Sequence, residues 1–362
     1  MKTYSKIILF TILCCVSFTT SSKAQDKDLK AEIAALRAYN ESLNHQLDKL
    51  FKKIDDITWF ERVGDIAYVD KVYMYGPPKW KEENPNALGA GNPVKFWSYI
   101  FIPKDLDTSK KYPLIVFPHG GVHGDFTTYY THIIRELVSQ NYVVVAAEYR
   151  GSTGYGEGHY KKIDYGGLEI EDVFASKEYM LENYDFLDTN RVGIIGWSHG
   201  GLLTLMNIFN HPDDYKVAYA GVPVSDLVSR MGYMDQDYRD LYEADHHIGA
   251  SAQDNLQEYR RRSPAWNTHK MGNTPLMITT NTIDDDVNVL EVEHLIKSLK
   301  ADNKKFDYKV YEAVPGGHSF DRMDTKKAKE IRLKMYKFLT KYLRPEKPIK
   351  SLKELHKAGY KY

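Results

Sequence analysis

Between residues 97 and 314 the chain carries seven short runs of β-forming residues, most of them apolar without a break. They are "WSYIFIP" (97–103), "PLIVFPH" (113–119), "YVVVAAE" (142–148), "RVGIIGW" (191–197), "KVAYAGV" (216–222), "PLMITT" (275–280) and "YKVYEAV" (308–314). A strand with no polar face has no side to give to water, so both of its faces must be covered. Helical stretches at 131–139, 169–183, 200–210, 289–300 and 328–342 fill most of the gaps. Strand and helix in alternation predict an α/β fold, with a mostly parallel central sheet and helices on both faces. A chain of 362 residues that is 43% hydrophobic can bury such a core. No internal repeat of blade-like length and no low-complexity linker interrupts the pattern.

The fourth run ends in "IIGWSHGGLLTLM" (194–206), which sets Ser198 between Gly196 and Gly200 where a strand meets a helix. A serine there sits on a sharp turn at the carboxyl edge of the sheet with its hydroxyl exposed, and the backbone N–H of His199 can face a developing oxyanion. A serine hydroxyl is a weak nucleophile, so the placement has chemical meaning only with a base and a group to orient that base. Both follow in the chain. "NTIDDDVNV" comes after the strand at 275–280 and "PGGHSFD" after the strand at 308–314, so two later loops deliver an aspartate and then His318. That is the Ser, Asp, His order of an α/β-hydrolase. His318 would take the Ser198 proton while the aspartate holds the imidazole tautomer. Alone, a loop histidine beside two glycines is an ordinary surface residue; its joint placement with Ser198 makes it the candidate base. Neither metal nor cofactor is implied, because covalent catalysis by a triad needs none.

The amino-terminal part follows other rules. Lys2 and Lys6 precede the apolar run "IILFTILCCVSF" (7–18), and "SSKA" puts Ser22 and Ala24 at minus three and minus one of a cut before Gln25. This predicts a signal peptide over 1–24 and export to the periplasm or beyond, with no membrane span after processing, since the run falls short of the ~20 apolar residues a span needs. Cys14 and Cys15 both lie in that segment, so the processed chain would carry no disulfide and no thiolate site. From Leu29 the pattern changes to a heptad. Leu36, Leu43, Leu50 and Ile57 follow at intervals of seven, with Ile33, Asn40, Leu47 and Ile54 between them. Asn40 falls at an a position, where it pairs best with its own copy, and Glu32 at g faces Arg37 at e′. Residues 25–60 are thus expected to form a coiled-coil-like helix, with a homodimer through 29–57 as one outcome. An amphipathic helix lying on its own catalytic domain would show the same stripe. The expected catalytic domain spans 61–345, followed by a basic tail at 346–362. Over the whole chain 49 basic residues balance 49 acidic ones, so charge suggests no nucleic-acid partner.

"PHGGVHG", "AAEYRGSTGYG", "DYGGLEIEDV", "GWSHGG", "SPAW", "DDDVNV" and "GGHSF" stand in this order between about residues 95 and 343. Together they resemble the catalytic domain of the prolyl oligopeptidase family of serine peptidases, near its acylaminoacyl peptidase and dipeptidyl peptidase branches. The resemblance implies an α/β-hydrolase fold with Ser198 as nucleophile and His318 as base. The family's acid stands three residues before a valine, which selects Asp284 over Asp285 and Asp286 because Val287 follows. The HGG loop implies a second oxyanion donor at the N–H of Gly121, beside that of His199; such donors are worth ~3 kcal/mol each. By the same comparison Val224, Leu227 and Val287 line the pocket for the side chain before the scissile bond, although apolar residues serve equally as core.

Several positions depart from the family. Val122 follows HGG in place of proline, His119 stands where one branch has a tyrosine oxyanion donor, and Asp286 replaces an arginine or asparagine. Residues 25–94 are too few for the family's β-propeller, which needs four or more four-stranded blades. A tyrosine-rich insert at 231–262, with Tyr233, Tyr238, Tyr242 and Tyr259, either overhangs the site or packs onto the domain. The expected function is an exported serine hydrolase acting on a peptide or small acyl substrate, in the first instance a peptidase. A carboxylesterase would share every catalytic residue and gains from Asp286 and the missing propeller. A non-catalytic coiled-coil scaffold is the reading from another class, and the intact triad argues against it.

Overall fold

The computed structural model describes residues 2–82 and 84–360, with side chains from residue 29 onward. The expected signal segment, 1–24, lies outside the described side chains. Among the described residues no helix is long and apolar enough to cross a membrane.

One eight-stranded sheet organises the domain. Its strands are β1 (Ala67–Gly76), β2 (Val94–Pro103), β3 (Tyr112–Val116), β4 (Val143–Glu148), β5 (Leu187–Trp197), β6 (Val217–Gly221), β7 (Leu276–Asn281) and β8 (Asp307–Tyr311), in the order β1-β2-β4-β3-β5-β6-β7-β8. β2 is antiparallel to both β1 and β4, while β4, β3, β5, β6, β7 and β8 run parallel. The helices are α1 (Lys2–Val63), α2 (Thr131–Val138), α3 (Glu157–Tyr160), α4 (Glu169–Asn183), α5 (His199–Asn210), α6 (Leu227–Tyr233), α7 (Gln236–Glu243), α8 (Leu256–Arg261), α9 (Val289–Ala301), α10 (Lys326–Leu343) and α11 (Leu352–Gly359).

The apolar runs are continuous because both sheet faces are dry. Leu114, Val116, Val143, Val145 and Ile194 point to one core, shared with Val173 of α4, Leu202 of α5 and Leu295 of α9. Ile115, Phe117, Val144, Ala146 and Ile195 point to the other, shared with Leu137 of α2 and Leu339 of α10. The period of two along each strand sends neighbours to opposite cores. All seven expected strands are present, and β1 is an eighth that the sequence reading passed over. Along β1 Tyr68 and Asp70 are exposed on one face and Tyr73 and Tyr75 on the other, as suits an edge strand that the core covers only in part.

The basic stretch from 346 is not a free tail. Ile349 and Leu355 are buried, and α11 packs against α2 and α10. The lysines around these two apolar residues masked them in the sequence.

On α1 the seam residues are exposed, Leu36 61%, Leu50 53% and Ile57 73%; residues 29–44 are exposed on every side, and from residue 45 onward the seam faces away from the domain. The opposite face docks through Lys52, Trp59 and Val63, all buried. Trp59 stacks on Phe126 and meets Phe101 edge-on. The heptad stripe is therefore not what holds the helix to its own domain.

Candidate active site

β5 ends at Trp197 and α5 begins at His199, so the change of direction falls on Ser198. Its backbone sits at φ 59°, ψ −124°, a conformation that costs a non-glycine residue ~1–3 kcal/mol. Surrounding bonds enforce it. Ser198 N donates to Gly221 O at 3.0 Å, and Ser198 O accepts from the N–H groups of Gly201 (2.9 Å), Leu202 (3.1 Å) and Val224 (3.1 Å). Position 196 must be glycine, since a β-carbon there would lie 2.1 Å from Gly200 O.

The loop after β3 passes beside this serine. Gly120 backs onto it so closely that a β-carbon at 120 would stand 3.3 Å from Ser198 Cβ, and Gly121 follows with φ +89°. Gly120 thus approaches Ser198 from the loop after β3, with Gly121 next to it in the chain, while His199 follows the serine at the start of α5. The His199 ring is turned away. It stacks on Tyr165 at a centroid distance of 3.7 Å, and its Nε2 lies 2.6 Å from Glu169 Oε1. Burial pushes the imidazole well below its ordinary pKa and the Glu169 carboxyl well above, so each disfavours its charged form. Only the backbone N–H of His199 is left for a substrate.

The three consecutive aspartates divide the work around His318, which sits in the turn Gly317–Ser319 after β8. His318 Nδ1 is 2.9 Å from each carboxylate oxygen of Asp284. Asp284 is itself fixed, because its Oδ1 accepts from the N–H groups of Asp286 (3.0 Å) and Val287 (2.8 Å). Asp285 Oδ1 accepts from His318 N at 3.0 Å and so holds the turn rather than the ring. Asp286 Oδ2 lies 3.7 Å from His318 Nε2. Among the described residues no hydrogen bond joins His318 Nε2 to Ser198 Oγ; such bonds often tighten only when substrate is bound.

Asp286 is anchored by a residue that sequence reasoning missed. Arg230 Nη2 is 2.6 Å from Asp286 Oδ1 and Arg230 Nη1 is 3.1 Å from Glu291 Oε1. Glu291 is fully buried and also accepts from Ser225 N and Asp226 N, at 3.1 Å each. The only trace in the sequence is an arginine inside the otherwise weakly polar stretch of α6. Of the insert tyrosines, Tyr242 and Tyr259 are fully buried and pack the insert onto the domain. Tyr238 bonds to Arg230 Nε at 2.7 Å, and Tyr233, 40% exposed, reaches Glu291 and the Asp286 backbone. Val224, Leu227 and Val287 all belong to the buried core beneath the site.

Comparison with known proteins extends these observations. The profile of the prolyl oligopeptidase family matches residues 128–346. Human dipeptidyl peptidase 8 is 32% identical over 225 residues, covering 59% of this chain and 24% of the relative. The acylamino-acid-releasing enzyme of Arabidopsis thaliana is 29% identical over 245 residues, covering 66% of this chain and 31% of the relative. The chain therefore spans only a quarter to a third of the length of these two relatives. Among solved structures, Pyrococcus horikoshii acylaminoacyl peptidase superposes with a TM-score of 0.63 at 20% identity, over 82% of this chain and 45% of that one. Porphyromonas gingivalis dipeptidyl peptidase 4 gives 0.60 at 22% identity, over 78% and 37%. At these identities the structures speak for the fold alone.

Proposed function

The chain belongs to the prolyl oligopeptidase family, and on that premise we propose that it is a serine peptidase working through an acyl-enzyme on Ser198. The observation that carries this reading is the contact of His318 Nδ1 with both Asp284 oxygens, at the sheet edge where Ser198 stands in a strained turn. His318 Nε2 takes the hydroxyl proton as Ser198 Oγ attacks the peptide carbonyl, and Asp284 offsets the charge of the imidazolium. The carbonyl oxygen becomes an oxyanion held by the N–H groups of Gly121 and His199. His318 then hands its proton to the leaving amine, and a water repeats the cycle to release the acid. Val224, Leu227 and Val287, buried in the core beneath the site, would support the pocket for the side chain before the scissile bond from behind rather than line it.

Labelling with a fluorophosphonate, mapped to Ser198, tests the nucleophile. Matched aminoacyl-amide and acyl-ester substrates then test the reaction. Cleavage of the amide, lost in Ser198→Ala, is expected; turnover of esters alone would favour a carboxylesterase, and absence of labelling would favour a non-catalytic scaffold.

Two further proposals concern the amino-terminal part. Export through residues 1–24 rests on the sequence, and a mature amino terminus at Gln25 is the expected finding. A parallel homodimer through 29–57 is supported by the exposed seam and by its position opposite the docked face. Sedimentation of the processed protein at micromolar concentration tests it, a monomer being the contrary result.

A further inference from the structure

One side chain of α1 enters the domain beneath the loop that runs past Ser198. Lys52 is 3% exposed. Its Nζ lies 2.9 Å from Asp125 Oδ2, donates to Phe126 O at 2.7 Å and contacts Oε1 of Glu148. Glu148 ends β4 and is fully buried. Its other oxygen accepts from Phe126 N at 3.1 Å and lies 3.5 Å from His119 Nε2. The ion pair thus touches both ends of the segment His119–Phe126, whose middle carries Gly120 and Gly121 past the serine. Space is reserved for the lysine. Gly154 has φ +82°, and a β-carbon there would fall 2.7 Å from Lys52 Cβ.

Other contacts anchor α1 as well, and Trp59 meets the same segment at Phe126. Asp55 accepts from Thr128 N at 3.1 Å, Asp56 pairs with Lys71 at 2.8 Å, and Trp59 and Val63 fill the apolar core. An anchor alone would not call for a buried ammonium on a buried carboxylate, an arrangement that is costly unless both charges are paired.

We propose that Lys52 is a positioning residue for the oxyanion loop: as the counterion of Glu148 it locks His119–Phe126 in the shape that presents the Gly121 N–H to the reacting carbonyl. A helix outside the catalytic domain would thereby set the rate of the chemical step. This rests on the serine peptidase reading above.

Burial raises the Glu148 carboxyl to about 7 even beside Lys52, and Asp125 pushes in the same direction. Burial lowers Lys52, but Glu148 and Asp125 more than offset it and hold the ammonium above its ordinary value. Also facing Glu148 are His119, Lys71, Tyr99, Tyr149 and Tyr155. Burial keeps His119 neutral, with its pKa lowered to about 4, so Lys52 is the cation in contact. Without it, Glu148 must stay protonated or pull the loop open to reach water, and the second course gains as pH rises.

The test compares wild type, Lys52→Met and Lys52→Met/Glu148→Gln in the full chain, measuring kcat, KM and labelling rate from pH 6 to 9. Lys52→Met is expected to lower kcat by about 10- to 100-fold with little change in KM, no more than the ~10²–10³ lost when one oxyanion donor is removed outright. The ratio of mutant to wild-type kcat should fall as pH rises; taking the ratio cancels any pH dependence the two enzymes share. The double variant should recover most of the loss and flatten the ratio, since it removes the unpaired charge. A folded Lys52→Met enzyme with wild-type kcat overturns the proposal. So does a double variant as defective as the single one with a pH-independent ratio, which would reduce Lys52 to a helix anchor. If wild type itself failed to label at Ser198, the peptidase reading would fall and this proposal with it, an outcome distinct from the other two.

Discussion

Replacing Asp284 by asparagine changes one atom, and the surrounding bonds decide which way the new amide must face. Asp284 Oδ1 accepts from two backbone N–H groups, those of Asp286 and Val287 at 3.0 and 2.8 Å. An amide nitrogen in that place would meet two donors, so the asparagine carbonyl oxygen must take it. The NH2 group then occupies the position of Oδ2, 2.9 Å from His318 Nδ1. Donating to Nδ1, it forces the imidazole proton onto Nε2, and the lone pair that should accept the serine proton is gone. The equivalent change in a well-studied serine protease lowers kcat by about 10⁴, or about 5 kcal/mol of barrier, and a loss of that order is expected here. Asp285→Asn retains an acceptor for His318 N, and Asp286→Asn retains one for Arg230, so each should cost less than about tenfold, under ~1.4 kcal/mol. The assay is kcat on a chromogenic aminoacyl amide beside the rate of fluorophosphonate labelling, with thermal melts to show that all three variants fold. If Asp285→Asn or Asp286→Asn gave the larger loss, or Asp284→Asn lost less than about tenfold, the assignment of the acid would be wrong.

Ser198→Ala should abolish labelling and turnover apart from a residual rate from the oxyanion donors, and should not lower Tm, since it removes one hydroxyl from a strained turn; labelling as strong as wild type would sink the nucleophile. Leu36→Lys with Leu43→Lys should turn the proposed dimer into a monomer in sedimentation, whereas Asn40→Ile should raise Tm and loosen control of oligomer number. Hydrogen bonding from Arg261, together with the charges of Arg262 and Arg261, holds the Glu258 carboxyl at about 2, below its unfolded value of ~4.3. The Tm deficit of Glu258→Gln should therefore be full above about pH 5 and shrink as pH falls toward 2, and should stay small because the group is partly solvated. Peptides of two to about thirty residues sharing one scissile sequence should show similar kcat/KM beyond the contacts nearest the bond, and a sharp cutoff at short length would point to a cap over the site.

The central strands were legible because a strand dry on both faces leaves a signature that nothing short and wet can imitate. β1 left none, since Asp70 and Lys71 interrupt its apolar residues and the ion-pair partner of Lys71 is Asp56, a distant residue of α1. The site was legible in proportion to how local its logic is. Ser198, Asp284 and His318 each sit just past a strand end, so order along the chain places them on one edge. Arg230 and Glu291 bind each other across 61 residues, and neither stands in a motif. The insert tyrosines looked alike in sequence, yet Tyr242 is core while Tyr233 stands beside Asp286, because α6 and α7 present them to different neighbours.

The amino-terminal helix carries two codes at once, and only one of them can be read as a pattern. A repeat of seven is visible because identical demands recur at every turn of a seam. The docked face answers a different demand at each position: a buried carboxylate at Lys52, a loop N–H at Asp55, a lysine at Asp56 and an aromatic cluster at Trp59. In sequence, its charged residues look like a solvated surface. Yet these residues fall on the side of the helix opposite the seam, so docking and the exposed stripe do not compete for the same face. If the helix existed only to pack on its own domain, the apolar side would be the one turned inward. With the apolar stripe outward, the proposed homodimer would form while Lys52 keeps its place on Glu148 and Asp125. If the proposed homodimer forms through 29–57, a shift of the helix along its axis would move Lys52 relative to Glu148, and the rate of Ser198 labelling would then depend on dimerisation.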